Sequence, residues 1–537
     1  MSELSNQITS HQTTNDLANP LDLNHVLINP LNQVATKFIQ SSDEIVSVEN
    51  FGSGNINDTF LVTARAKPLS ADELITSIYQ KSQGNLDRFG NPIIIENEPK
   101  SYKFVLQKIN THVFKQPELV MANIRLVTEH IRHKLGENKR ANQRYNSSEF
   151  AQLAEVASIE ENETQSAHHN VSHNLDPIAL DLENFDLTSF DPQYFNANIS
   201  AGQGSQGLIL PNLSRPSSAK KTPQKNTSKT TQKSTSINPN IADQVANDWV
   251  TVRVIPTQNN QDLLIDADQN HWRSLTFINH TIVLQKISES AQAYEVGYGV
   301  GYFHHLLRDL PLNNLADTLP EFHITPLYFR QYQQAHAKFT KGKHRHIASS
   351  LLPELKFCLG FVEERSKLIS ILEDAKSCGW LPMRVMHGDP KINNILLDES
   401  SQKAVSMIDL DTVKPGLIHY DIGDGLRSAC NLMGEETEHW ESVIFDIDVC
   451  QTWLRGYMQF GQNLLRPREY DFIYEAIRLI SLELGLRFLT DYLAGNVYFK
   501  VSYPEQNLIR ALVQLRLTES IENQSRNLRQ IIREFYK

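Results

Sequence analysis

The chain has 537 residues, 40% of them hydrophobic and 21% charged, with a net charge of −11. At ~100–200 residues per domain that length suggests about two to four structural units, and the composition is globular, neither collagen-like nor wholly disordered. The acidic balance argues against a general nucleic-acid binder. The four cysteines, Cys358, Cys378, Cys430 and Cys450, form no CxxC pair, which argues against a zinc ribbon or a disulfide scaffold. The opening MSELSNQITSHQTTNDLANP has neither a basic start nor an apolar core, and no apolar run approaches the ~20 residues that span a bilayer. The expectation is a soluble cytoplasmic protein with free thiols and no nucleic-acid or membrane partner.

Three strand-like segments come first: EIVSVENFGS, DTFLVTA and YKFVLQKIN. They alternate apolar and polar residues or carry β-branched runs, with Gly, Asn and Asp between them. PELVMANIRLVTEHIRHKL follows, apolar at helical spacing with Pro117 near its start. Composition then shifts. Glu149 to Pro211 holds ten Asp or Glu and no Lys or Arg, whereas Arg215 to Lys233 holds six Lys or Arg and no acid. The basic stretch is low in complexity and lacks the apolar residues that offset chain entropy, so residues 139–248 are expected to be a largely disordered insertion. Strands resume with WVTVRVIP, QDLLIDAD and WRSLTFI, so the insertion splits one sheet. From residue 290 onward helices are expected at 291–308, 326–345, 352–376, 437–460, 468–493 and 506–534. The exception is 383–410, where two short strands flank a polar loop.

That loop is His387-Gly388-Asp389-Pro390-Lys391-Ile392-Asn393-Asn394. Asp409 follows twenty residues after Asp389, at the end of strand AVSMID. Phosphoryl transfer to a hydroxyl needs a carboxylate that accepts or orients the hydroxyl proton, oxygen ligands that hold Mg²⁺ against nucleotide phosphates, and a cation near the transferred group. Asp389 suits the base, Lys391 the cation, and Asn394 and Asp409 the hard oxygen ligands for Mg²⁺. The interval from Asp389 to Asn394 matches the kinase pattern of Asp, four residues, then Asn. His387 is expected to shape the loop by hydrogen bonding. Asp421 and Asp424 are expected to accept backbone N–H groups or to neutralise an Arg, and Asp411 stays open. Near the front, Gly52, Ser53, Gly54 and Asn57 lie in a turn between two strands whose N–H groups can face phosphate, although no Walker or Rossmann motif is present. A kinase also needs a strand lysine for the phosphates. Lys108 is the candidate, with Gln107 beside it and alternation unable to choose between them. Glu129 on the following helix is either that lysine's partner or a solvated side chain.

FGSGNINDTFLV, FVLQKIN, VMHGDPKINNILLD, MIDLDTVKPG with YDIGD, and LELGLRFLTDYLAGNVYFK together resemble the aminoglycoside phosphotransferase and choline kinase-like family, most closely its N-acetylhexosamine 1-kinase-like branch. The resemblance implies an α+β, bilobal protein-kinase-like fold: a small antiparallel sheet lobe, a mostly helical lobe, and the long insertion within the first. The expected layout is a flexible segment over 1–40, the sheet lobe over 41–138 and 249–280, and the helical lobe over 281–537. It implies ATP and Mg²⁺ as cofactors, a nucleotide hinge near Phe277 and Ile278, Asp389 as base, and Asn394 and Asp409 as metal ligands. Arg487 and Tyr498 are implied sugar contacts, with the anomeric hydroxyl of an N-acetylhexosamine as acceptor. Read from the residues alone, Arg487 equally suits a helix pair with Asp491, and Tyr498 a packing role. The rival readings are a kinase of choline, homoserine or an aminoglycoside, and a pseudokinase-like interaction protein.

Overall fold

Leu31, Val34, Ala35, Phe38 and Ile39 recur at helical spacing. In the computed structural model of the chain they build α1 (Pro30–Thr36) and the turn after it, burying Ala35, Phe38 and Ile39. The structure describes residues 30–52, 56–66, 101–136, 249–341 and 351–536. By its contacts the chain divides into two units, Met1–Ser147 with Asn240–Lys537, and Ser148–Pro239. The second unit lies outside the described residues, as do 1–29, Ser53, Gly54 and the whole of the expected 139–248 insertion. Part of the segment expected to be flexible, 30–39, is therefore ordered, because its apolar stripe has a sheet to cover.

That sheet is antiparallel. β1 (Glu44–Asn50), β2 (Asp58–Arg65) and β3 (Ser101–Ile109) pair in sequence order, and β6 (His271–Thr276) pairs with β3. α2 (Pro117–Lys134) follows β3. WVTVRVIP and QDLLIDAD contribute only the two-residue strands β4 (Val254–Ile255) and β5 (Leu264–Ile265), both paired with β6. Period-two alternation sends Val62, Phe104, Leu106 and Trp272 into one core with α1. Val105, Gln107, Arg273 and Leu275 take the other face.

The remainder is mostly helical. β7 (Thr281–Val283) precedes α3 (Ser290–Leu306), α4 (Thr325–Lys341), α5 (Leu352–Glu364) and α6 (Ile371–Ser377). β8 (Arg384–Met386), β9 (Ile395–Asp398), β10 (Ala404–Met407) and β11 (Lys414–Gly416) surround the polar loop, and α7 (Ile418–Ala429), α8 (Ile447–Leu464), α9 (Ile473–Ala494), α10 (Gln506–Asn523) and α11 (Ser525–Glu534) complete the fold. β10, β9 and β7 form one small antiparallel sheet, β11 and β8 another. The architecture is α+β. The expected helix 352–376 is two helices, and the one expected from 437 begins at Ile447. There Asp446 caps the helix by accepting from the N–H groups of Asp448 and Val449. α7 was not expected at all: its two glycines and two aspartates are poor helix formers. Packing decides instead, since a Cβ at Gly423 would fall 2.7 Å from the Ala476 carbonyl oxygen of α9.

Candidate active site

β8 feeds the loop 387–394 and β9 leaves it. β10 runs antiparallel to β9 with Met407 opposite Ile395, and beyond that pair the Ile408 N–H donates to the Asn394 carbonyl at 2.9 Å. The register thus sets Asn394 and Asp409 side by side at one ladder end. β11 pairs with β8, Lys414 opposite Met386, which brings the Thr412 hydroxyl to the His387 carbonyl at 2.7 Å. Gly388 has a φ of 87°, and a Cβ there would lie 2.9 Å from the Thr412 carbonyl oxygen, so the turn admits only glycine.

The loop is held from beneath. Asp421, buried at the start of α7, accepts from the His387 N–H (2.6 Å), the Gly388 N–H (2.8 Å) and the His304 ring (2.8 Å). Burial alone would raise its carboxyl; His304 and the backbone donors outweigh burial and hold it below the ordinary value. His387 is buried. Its Nε2 donates to the Ile408 carbonyl at 2.9 Å and its Nδ1 accepts from the Asp389 N–H at 3.2 Å, so it shapes the loop as a neutral imidazole, its pKa lowered by burial. His323 supports the loop from the other side: Nε2 donates to the Gly388 carbonyl at 2.7 Å and Nδ1 donates to Glu483 on α9 at 2.9 Å. Two acceptors demand two N–H groups, so the ring is an imidazolium. Burial opposes this charge, and Glu483 with the Gly388 carbonyl overcomes burial and raises the pKa.

A pH-dependent effect follows. The folded value of His323 lies above its unfolded value of ~6.5, so the pair contributes fully below that pH and its contribution is lost as pH rises through the folded value. His323→Gln is expected to lower unfolding free energy by ~3–5 kcal/mol at pH 6. In denaturant titrations the gap to wild type should narrow as pH climbs toward 9, and a gap constant over that range would rule the charged pair out.

Lys391 Nζ pairs with Asp389 Oδ2 at 2.8 Å, and Asn394 Nδ2 donates to the Asp389 carbonyl at 2.7 Å and to Oδ2 at 3.3 Å. Both side-chain contacts fall on Oδ2. Among the described residues, Asp389 Oδ1 has no partner. Asp409 sits in the left-handed region (φ 63°, ψ 54°), a strained conformation for a residue other than glycine. Desolvation by the cleft walls first, then the charge of Asp411 and, more weakly, of Asp389, push its carboxyl up to about 6 against the pull of Lys391 and Arg273. A cluster of hard oxygens in a cleft, its carboxylates repelling one another, suits a divalent cation. Among the described residues no three His, Cys, Asp or Glu side chains converge as a metal cage.

These residues line one cleft of about 1250 Å³, together with the cleft face of the sheet, Gly52, Asn57, Phe277 and Ile278. Phe277 meets Phe51 edge-on at 5.8 Å between ring centres. Asn57 Nδ2 donates to Asp411 Oδ2 at 2.7 Å and its Oδ1 accepts from the Asn110 N–H at 3.0 Å, which ties the front turn to the Asp409–Asp411 segment. Lys108 is corrected: the strand alternation puts it on the face shared with Phe104 and Leu106, and Gln107 lines the cleft. Glu129 is no partner for it, being exposed and paired with Arg125 on its own helix at 3.2 Å.

At the other end of the cleft, the helix pair of Arg487 with Asp491 does not form. Asp491 accepts from the N–H groups of Val497 (2.8 Å), Tyr498 (2.9 Å) and Phe499 (3.0 Å), and so builds the turn that carries Tyr498. Arg487 lies among the rings of Tyr328, Phe322, Phe499 and Tyr498, 4.9–5.8 Å from their centres. Among the described residues it has no carboxylate within ion-pair distance. The acids around it are engaged: Glu483 by His323 and Thr325, Asp424 and Glu435 by Arg427, Glu436 by Arg510. Sequence reasoning missed Glu483, His323, Arg427 and Arg273. His323 and Arg273 belong to no motif in the sequence, and only the fold brings them to the cleft.

Among the described residues no helix is long and apolar enough to cross a membrane. The chain is similar to an aminoglycoside phosphotransferase from Alicyclobacillus acidocaldarius at 16% identity, covering 54% of this chain and 80% of that one, with a TM-score of 0.34. It is similar also to a choline kinase from Cryptosporidium parvum at 14% identity (54% and 77% covered, TM-score 0.34) and to a microcompartment-associated aminopropanol kinase at 14% identity (54% and 79% covered, TM-score 0.35). Residues 240–457, which hold Asp389, Lys391, Asn394 and Asp409, match the model of the phosphotransferase enzyme family.

Proposed function

We propose that the protein is a two-lobed, ATP- and Mg²⁺-dependent kinase that transfers the γ-phosphate to a hydroxyl of a small molecule, namely the anomeric hydroxyl of an N-acetylhexosamine. The observation that carries the reading is the convergence of Asp389, its partner Lys391, and the adjoining Asn394 and Asp409 in one cleft. Asp389 Oδ1, free of other contacts, takes or orients the acceptor's proton. Lys391 holds Oδ2 and lends positive charge to the transferred group. Asn394 and Asp409 would hold Mg²⁺, which when bound offsets charge between the nucleotide phosphates. Gly52 and Asn57 are assigned to the phosphate end of the nucleotide, as are Ser53 and Gly54 outside the described residues. Phe277 and Ile278 are assigned to its base.

The sugar rests on the resemblance and on one physical point. A cationic acceptor such as choline or an aminoglycoside favours uncommitted acids, but among the described residues the acids around Arg487 have cationic partners, and Arg487 itself is in no ion pair. That favours a neutral or anionic acceptor with oxygens to accept from a guanidinium. Arg487→Ala should raise the acceptor KM roughly tenfold or more while ADP affinity stays put, because one charged hydrogen bond to the acceptor is lost. The reading is tested by ADP release over N-acetylglucosamine, N-acetylgalactosamine, unmodified hexoses, choline, homoserine and kanamycin. It expects turnover with the N-acetylhexosamines; faster turnover with choline or kanamycin overturns the sugar assignment.

A further inference from the structure

β3 presents an uncharged side chain, Gln107, to the phosphate end of the cleft. Directly across the ladder on β6 stands Arg273, only 1% exposed and part of the same cleft lining. Its Nε donates to Gln107 Oε1 at 2.9 Å, and Gln107 is itself oriented by donating to the Thr59 hydroxyl at 3.0 Å. Its Nη1 lies 2.5 Å from Asp411 Oδ1, yet the two atoms do not align as a hydrogen bond. Asp411 is turned by Asn57, which donates to its other oxygen. The guanidinium is thus charge-paired and held at two corners while, among the described residues, most of its five N–H donors have no acceptor. A buried arginine in that state is costly unless a further acceptor arrives. The neighbouring Asp409 turn leaves a polyphosphate as the acceptor whose charge and oxygen count fit.

We propose that Arg273 is the cation that the sheet presents to the α- and β-phosphates of the nucleotide, in the role expected of a strand lysine, with Gln107 and Asp411 as its positioning residues. The proposal rests on the reading of the cleft as a nucleotide site. Moving the cation one strand over accounts for the neutral residue at 107. It also links the sheet directly to the segment that carries Asp409, since Asp411 is two residues on.

The test titrates adenosine, ADP and ATP with Mg²⁺ into the full-length chain and its variants. Arg273→Gln should weaken ADP and ATP roughly 10–100-fold, the loss of charge-assisted bonds, and leave adenosine unchanged. A role confined to packing would weaken all three together or none. The double variant Gln107→Lys with Arg273→Gln returns a cation to β3 and should regain most of the lost ADP affinity. Wild-type ADP affinity in Arg273→Gln, or a parallel loss of adenosine, overturns the assignment. Should that variant fail to fold, Arg273→Lys serves: one ammonium cannot keep the two-cornered geometry, so ADP should weaken and adenosine should not, and unchanged ADP affinity overturns the proposal. A wild-type protein that binds ADP no better than adenosine would instead remove the nucleotide reading of the cleft itself.

Discussion

Asp389→Asn is expected to cut kcat by ~10²–10⁴-fold, the range typical for removing a general base, with ADP affinity close to wild type. The split follows from where the contacts fall. Lys391 and Asn394 hold one carboxylate oxygen, and an amide at 389 can still accept from both, so the loop keeps its shape. What is lost is the basicity of the other oxygen. Steady-state turnover beside a nucleotide titration checks it; a variant that retains more than half of wild-type kcat removes Asp389 from the chemistry. A variant that loses ADP binding as well assigns Asp389 to nucleotide binding.

Asp409→Asn is expected to weaken the Mg²⁺ dependence of nucleotide affinity strongly and, at the same time, to stabilise the nucleotide-free protein at neutral pH. Asp409 lies in the cleft beside Asp411 and feels Asp389, and it occupies strained backbone, so its charge opposes folding until a cation arrives. The asparagine removes the repulsion and is well tolerated at positive φ. The amide keeps an oxygen but loses the negative charge that would hold Mg²⁺ beside the nucleotide phosphates. Thermal unfolding without ligands, and ADP titration with and without Mg²⁺, read the two halves separately. A lower unfolding temperature together with an intact metal effect contradicts both.

The chemistry-bearing loop was legible because it is local. Asp389, Lys391 and Asn394 lie within six residues, and Asp409 closes the next hairpin, so spacing alone predicts their meeting. The parity of β3 was not legible: Gln107 and Lys108 differ by one residue, and only the packing of Phe104 and Leu106 onto α1 fixes which of them faces the cleft. The Arg487–Asp491 spacing was misleading, since four residues on a helix permits a pair without requiring one, and three backbone N–H groups compete better for Asp491. His323 and Glu483 are 160 residues apart and meet only in the fold. α7 was hidden by its composition, because helix propensity is outweighed where glycine lets two helices touch.

The most direct measurement is phosphorus NMR of the wild-type protein with Mg²⁺, ATP and either N-acetylglucosamine or N-acetylgalactosamine. The account predicts ADP together with a phosphomonoester coupled to the anomeric proton, with no product from the corresponding 1-O-methyl glycosides. A 6-phosphate, or turnover of the methyl glycosides, would contradict the anomeric assignment. ATP that stays intact, or yields inorganic phosphate as its only other product at the same rate in wild type and Asp389→Asn, would contradict phosphoryl transfer by this cleft.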